Sequence, residues 1–441
     1  MTRRLLLLLS CGVGAALLQQ QLLVHRPPRL LKLSSQPIHS GSTALDLRFG
    51  RPMDRSSFAA SSKLTPPLEH RWLGQDAALR LLVEAKGPIQ GPLQLQLAGK
   101  DQRGLPLPEQ QWRWDPRPWL VVNRVLPDGE QLQLKRRDGT WLPLTPVLPS
   151  IHQVEPLGNG RGLALVSSDG SGQEAVWLRP LMPRHLEQEP SNPQHPALGS
   201  FSRLIERPLL FAHLSSNLSG DLLMQTGGFA ADSDRVELKL ASGQRLTLAM
   251  APSGPLQLLP AGGGVVVPTP NGLKIDALSE QGPQQGQLLP GSRELGAFCP
   301  ASGRAVLIRH WPDYRRSIEL VSPGVAPRQL HLGEDAVLAV ACNNSGTRIW
   351  AVLGRWTANR SEQRLVLMDS TGDVLREKPL DPWLIQPGTR LLIDPVGQQL
   401  LLTVGQAPQR QSGVAALMNA ASLDWISIDD QPIKEALWLR S

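Results

Sequence analysis

Six glycines set the terms for most of this chain. Gly160, Gly220, Gly263, Gly303, Gly346 and Gly397 recur at spacings of 60, 43, 40, 43 and 51 residues, each in a polar turn that leads into an apolar run. Their surroundings repeat too: GNGRGLALV, LSGDLLMQT, AGGGVVVP, ASGRAVLIR, NSGTRIWAV and PVGQQLLLTV. A second run and a second turn usually follow, as in RVELKL before ASGQ, SIELV before SPGV and RLVLMD before STGD. Strands and turns alternating at a period of about 40 residues have the rhythm of a four-stranded blade, which buries its apolar faces only by stacking on its neighbours. The repeat predicts a β-propeller of six to seven blades over residues 119–441. WLVV at 119–122, EQLQLK at 130–135 and TWLPL at 140–144 add three strands that close the ring or make a seventh blade.

A chain of 441 residues is expected to hold more than one domain. Gly and Pro supply 40 positions each, scattered rather than periodic, which excludes collagen and suits many turns between short strands. Ahead of the repeat the rhythm differs. Leu45, Leu47 and Phe49 alternate with polar neighbours, as in a half-buried strand. Further strands at Leu79–Val83, Leu93–Leu97 and Trp112–Trp114, separated by LTPP, KGPIQGP and KDQRGLPLP, predict a small β-sandwich over residues 41–118. Residues 25–40, HRPPRLLKLSSQPIHS, hold prolines and basic residues without a sustained period, and read as a linker.

Two resemblances sharpen this division. LDLRFGRPMDRSSF, LQLQLAGKDQRGLPLP and the closing QWRWDPRP resemble the SbsA-type bacterial Ig-like domain of surface-layer and other envelope proteins. Phe49, Pro52, Met53 and Asp54 carry the first motif, and Lys100, Asp101 and Gly104 the second; Leu93 replaces an aromatic residue that often precedes the latter. The resemblance implies a spacer or adhesive module without catalytic residues. FCPASGRAVLI, ACNNSGTRIWAV and IDPVGQQLLLTV, with SSDGSGQEAVWL as a second hairpin, resemble the repeats of TolB-type propellers.

The net charge of +7 suggests nucleic acid until it is located along the chain. Residues 1–55 hold eight Arg or Lys against two Asp, so the excess lies almost wholly at the front, around MTRRLLLLLSCGVGAALL. A nucleic-acid binder concentrates basic residues on its folded domain instead. Arg3 and Arg4 followed by apolar Leu5–Leu18 have the layout of an export signal; counting on through Gln19–Gln21 to Val24 reaches the length of a membrane span. Residues 1–24 are therefore expected to be a signal peptide or a membrane anchor. Leu8–Cys11 loosely resembles a lipobox, but the apolar stretch continues past Cys11, which reads as an apolar member of the segment.

The residues offer little chemistry. No GxSxG, HExxH or CxxC occurs. Gly158, Gly160 and Gly162 precede a strand and lack the lysine of a phosphate loop. His185, Glu187 and Glu189 lie in a Pro-rich loop, and Asp232, Asp234, Asp429 and Asp430 read as turn formers. Catalytic, cofactor and metal residues are accordingly expected to be none. Cys299 and Cys342 stand at corresponding places in neighbouring repeats and read as two free buried thiols.

The densest mixture of aromatic and charged groups is RHWPDYRRS, which interrupts a hairpin with His310, Trp311, Asp313, the only Tyr (Tyr314), Arg315 and Arg316. Trp356, one repeat later, falls in a loop, whereas Trp350 alternates with Ile349 and Val352 as a core residue does. Trp, Tyr and Arg dominate interface hot spots, and loops on a rigid scaffold carry function. The alternative places Trp311 in the blade and the arginines in solvent.

The expectation is an all-β chain: an N-terminal hydrophobic signal or anchor helix, a small Ig-like β-sandwich, and a six- to seven-bladed β-propeller. Its expected role is a non-catalytic cell-envelope binding or scaffold protein, exported and either membrane-anchored or periplasmic. Its partner would be a protein, peptide or glycan, with membrane contact through the N-terminal segment and no nucleic acid. The alternative is a propeller hydrolase, a glycosidase or peptidase, which needs paired carboxylates or a nucleophile with its base in the central mouth.

Overall fold

The computed structural model describes residues 25–37, 42–85, 87–188, 195–230, 232–250, 254–278, 286–357, 360–394, 398–406 and 412–440, with 19, 21 and 396. The leader and Cys11 lie outside this set, apart from two helical positions. Among the described residues no helix is long and apolar enough to cross a membrane.

Seven small antiparallel sheets follow one another from Trp119 to Leu439. Blades 2 to 6 each open on a first strand, at Ser150–Pro156, Phe211–Ser216, Gln257–Leu258, Arg293–Cys299 and Ala336–Cys342. Blade 7 opens on two short pieces, Leu384–Ile385 and Leu392–Ile393, which both pair with Gln399–Gly405. Blade 1 combines Trp119–Leu126, Gly129–Lys135 and Trp141–Pro143 with the last strand of the chain, Ile433–Leu439. The three strands after residue 118 therefore make the seventh blade, and the C-terminal strand completes it.

Apolar packing closes the ring. Leu165 of blade 2 packs with Leu132 and Leu437 of blade 1. Further shared cores join blades 2 and 3, 3 and 4, 4 and 5, 5 and 6, and 6 and 7. Leu401 of blade 7 packs back on Val122 and Ala436 of blade 1. Each buried Leu, Ile or Val contributes about 1.5–3 kcal/mol, so every blade is held from both sides.

The recurrent glycines have a conformational cause. Gly160, Gly220, Gly263, Gly303 and Gly346 all take positive φ, from 65° to 86°, in the first turn of a blade. A Cβ at Gly220 would also lie 2.0 Å from the side-chain nitrogen of Asn159, on the corresponding turn of the preceding blade. The turn thus needs glycine for backbone freedom and for close approach to its neighbour. Gly397 lies outside the described residues.

The front of the chain folds as two four-stranded sheets around Leu45, Leu47, Phe58, Leu81, Leu95 and Trp114, all buried. Helix α1 (Arg55–Ser61) starts at Asp54, whose carboxylate accepts from the Ser56 amide at 2.9 Å. It delivers Phe58 between Phe49 and Trp72, with ring centroids 5.3 and 5.5 Å apart. The two motif segments meet: Met53 bridges Asp101, the Asp54 amide donates to Lys100 O, and the Asp101 carboxylate accepts from the Arg103 and Leu105 amides.

Two expectations need correction here. Residues 25–40 are not all linker, because Leu30–Pro37 is a strand that pairs with Ser42–Phe49. It is an edge strand from which only Leu30 and Leu33 lean on the core, so its period is weak. Cys299 and Cys342 are not free thiols but a disulfide, with Cα atoms 5.2 Å apart. They end the first strands of blades 5 and 6, which pack side by side and so bring equivalent positions together.

A charged cluster joins sandwich and ring. The Asp115 carboxylate, 5% exposed, receives Arg117 at 2.7 Å and Arg137 at 3.3 Å. The Arg137 guanidinium lies 3.9 Å over the Trp119 ring and donates to the carbonyls of Arg117 and Pro118. Past blade 2 the chain returns to the sandwich, where Leu186–Glu187 pairs with Arg113 and Trp114 as an added strand.

Candidate partner-binding face and central channel

Connections in a four-stranded sheet alternate between its two ends, so the ring has two unlike faces. The first and third turns of the blades face the sandwich: Asn159, Ser219 and Ala241 share a cleft with Ser35 and Trp112, and Gly139 shares another with Ile89. The second hairpins and the links between blades form the opposite face.

RHWPDYRRS is the second hairpin of blade 5 and lies on that opposite face. It is a tight turn rather than a lengthened loop: Trp311 N donates to Arg315 O and Tyr314 N to Trp311 O, between strands ending at His310 and beginning at Arg316. Tyr314 closes it at φ 66° and projects with 85% of its surface exposed. Trp311 is half-buried; its indole donates to Ser317 Oγ at 2.9 Å and the Arg309 guanidinium lies 3.7 Å over its ring. Asp313 and Arg315 pair with each other at 2.7 Å, and that bond holds the Asp313 carboxyl below its usual value. His310 Nε2 lies 3.4 Å from Glu294, and Arg316 donates to the carbonyls of Tyr314 and Arg315.

Trp356 stands on the same face in blade 6. It belongs to the strand Arg348–Thr357 rather than to a loop, opposite Ser361 at the protruding end of the hairpin, and is 74% exposed. Arg355 beside it and Arg364 both reach Asp335, which is 3% exposed. Burial opposes that charge, but the two arginine bonds outweigh it and keep the carboxyl below its usual value. Phe229, in the second hairpin of blade 3, is 63% exposed. Sequence reasoning passed over it because its neighbours in GGFAADSD carry no aromatic or basic company.

Inside the ring lies a polar cluster that the sequence reading did not find. Blade 7 breaks its first strand with a turn in which Thr389 N donates to Gln386 O; Pro387 and Gly388, at φ 75°, fill the central positions. The turn throws Arg390 across the channel, to Glu435 of blade 1 at 2.9 Å, Glu155 of blade 2 at 3.3 Å and the Val154 carbonyl at 2.8 Å. Burial pushes the Glu155 carboxyl up, with Arg390 pulling the other way. His213 of blade 3 lies against Gln257 at 3.1 Å, and burial lowers its pKa, so at neutral pH it accepts that bond as a neutral ring. The signal was QPGT ahead of Arg390, with a lone acid in the otherwise uncharged IHQVEP and another beside Lys434 in IKEALWL. Among the described residues no group of three or more His, Cys, Asp or Glu is placed to hold a metal ion.

No protein-family model matches this sequence, and no curated protein matches it. Solved structures do overlap it. TolB from Acinetobacter baumannii aligns at a TM-score of 0.39 and 11% identity, over 88% of this chain and 86% of that one. An uncharacterized protein from Listeria monocytogenes EGD-e aligns at 0.45 and 11% identity, over 72% and 96%.

Proposed function

We propose that this chain is an exported, non-catalytic binding protein of the cell envelope, in which an Ig-like sandwich of the SbsA type carries a seven-bladed, TolB-like propeller. The propeller's free face holds a protein or peptide partner. The observation that carries this reading is the pair Tyr314 and Trp356, 85% and 74% exposed on the face turned away from the sandwich. Large aromatic side chains beside arginines are the usual anchors of an interface, and here they stand on stiff hairpins that need little ordering on binding. The disulfide of Cys299 and Cys342 supports an oxidising compartment, in keeping with the Arg3/Arg4 and leucine-rich leader.

One observation favours the second reading, a hydrolase: Glu155 and Glu435 meet in the channel, and burial raises Glu155 as a general acid requires. Both acids, however, are tied to the same Arg390, whose bonds link the first strands of blades 1 and 2 to blade 7. That is the role of a structural bridge. The double change Tyr314→Ala with Arg315→Ala is expected to leave the melting temperature unchanged and to abolish pull-down of the partner that the wild-type chain retains from envelope extracts. Undiminished pull-down by the double variant contradicts the binding reading. Hydrolysis of a glycan or peptide panel that Glu155→Gln abolishes would favour the second.

A further inference from the structure

The cleft between the sandwich and blades 2 and 3 has a volume of about 930 Å³, enough for a small organic molecule. Its charge is one-sided. Arg161, Lys239 and Arg440 line it together with His185, and no Asp or Glu does. None of the three cations has an ion-pair partner among the described residues. Asp221, next in sequence to the lining residue Gly220, is already engaged by the Ala241 amide at 2.8 Å and by Asn217 at 2.8 Å.

The strain of that arrangement shows at two groups. Burial, with no acid to offset it, pulls Arg440 down to about 10. His185 is pulled down to about 4, mainly by burial, and its buried Nδ1 has no hydrogen-bond partner. Arg440, held largely out of bulk water without a counter-charge, is costly for the protein alone and favourable toward an anion, while half-buried Lys239 and exposed Arg161 extend the positive charge toward the mouth of the cleft. Trp112 and Leu33 supply an apolar wall on the sandwich side.

We propose that this cleft binds a small organic polyanion bearing phosphate or carboxylate groups, gripped by Arg440, Lys239 and Arg161. The cleft lies on the opposite side of the ring from the partner-binding face, so the two sites are independent. Because its walls come from both the sandwich and the ring, a bound polyanion also fastens the two together.

Calorimetric titration of the full chain tests this with tripolyphosphate and citrate as probes. Saturable one-to-one binding of at least one probe is expected, weakening as salt rises. Arg440→Gln with Lys239→Gln should weaken it thirtyfold or more, whereas Arg315→Gln with Arg316→Gln on the far face should leave it unchanged. If the first pair fails to fold, Lys239→Gln with Arg161→Gln, both nearer the surface, carries the same expectation. No saturable binding at millimolar probe overturns the proposal. So does equal weakening by the far-face pair, which would mean diffuse attraction to a basic surface.

Discussion

Trp350→Ala is expected to destabilise the ring by about 4 kcal/mol, the scale of a large aromatic truncation in a packed core. Trp350 is 1% exposed and packs among Leu365, Leu367, Leu400 and Leu402, so it fills the space between blades 6 and 7. Its indole donates to Ala420 O at 2.8 Å, and truncation leaves that carbonyl unpaired as well. Thermal unfolding followed by tryptophan fluorescence measures the effect. Trp356→Ala, six residues on but 74% exposed, is the control, with a change within about 0.5 kcal/mol. Equal losses from the two would mean that the packing between blades 6 and 7 is misassigned.

Asp115→Ala should cost about 3 kcal/mol, because it strips a buried arginine of its counter-charge. Arg137 is largely buried beside Trp119, and burial already pulls its pKa down to about 10 despite Asp115. Without the carboxylate, Arg137 keeps only its carbonyl partners and the Trp119 ring, and Arg117 loses three bonds, two from its guanidinium and one from its amide. The loss should appear as separate melting of sandwich and ring in calorimetry, since this pair holds the joint. The sign with pH follows from the depressed Asp115 carboxyl: burial would raise it, but the Arg117 bonds and the Arg137 charge outweigh that. Its contribution is complete above the ordinary value of 3.8 and is lost as pH falls through the lower folded value. Wild type and variant should therefore differ at pH 7 and converge toward pH 2.

What the sequence disclosed and what it hid follow from the range of the interactions concerned. The first turns of blades 2 to 6 were legible because their positive φ demands glycine locally, whatever the rest of the chain does. Trp350 was legible as core from alternation, whereas Trp356, read as a loop residue from its polar surroundings, is exposed at the end of a strand. Leu30–Pro37 was hidden because an edge strand with one lightly buried face needs no strict alternation. The disulfide was hidden because it depends on how closely two first strands pack around an axis, which spacing along the chain does not state. Arg390 was hidden for the same reason. Its turn is written in QPGT, but its partners lie more than 230 residues upstream and 45 downstream. The hairpin at Arg309–Ser317 was found by composition, yet its internal bonds, which leave Tyr314 and not Trp311 as the projecting ring, needed coordinates.

The central claim, that the ring's free face meets a protein partner, is tested most directly by photo-crosslinking in living cells. A photoreactive residue replaces Tyr314 or Trp356 on that face, or Val374, which is 57% exposed on the outer strand of blade 6. The account predicts one discrete protein adduct from positions 314 and 356 and none from 374. The absence of an adduct at both face positions, or an identical adduct from Val374, would contradict it.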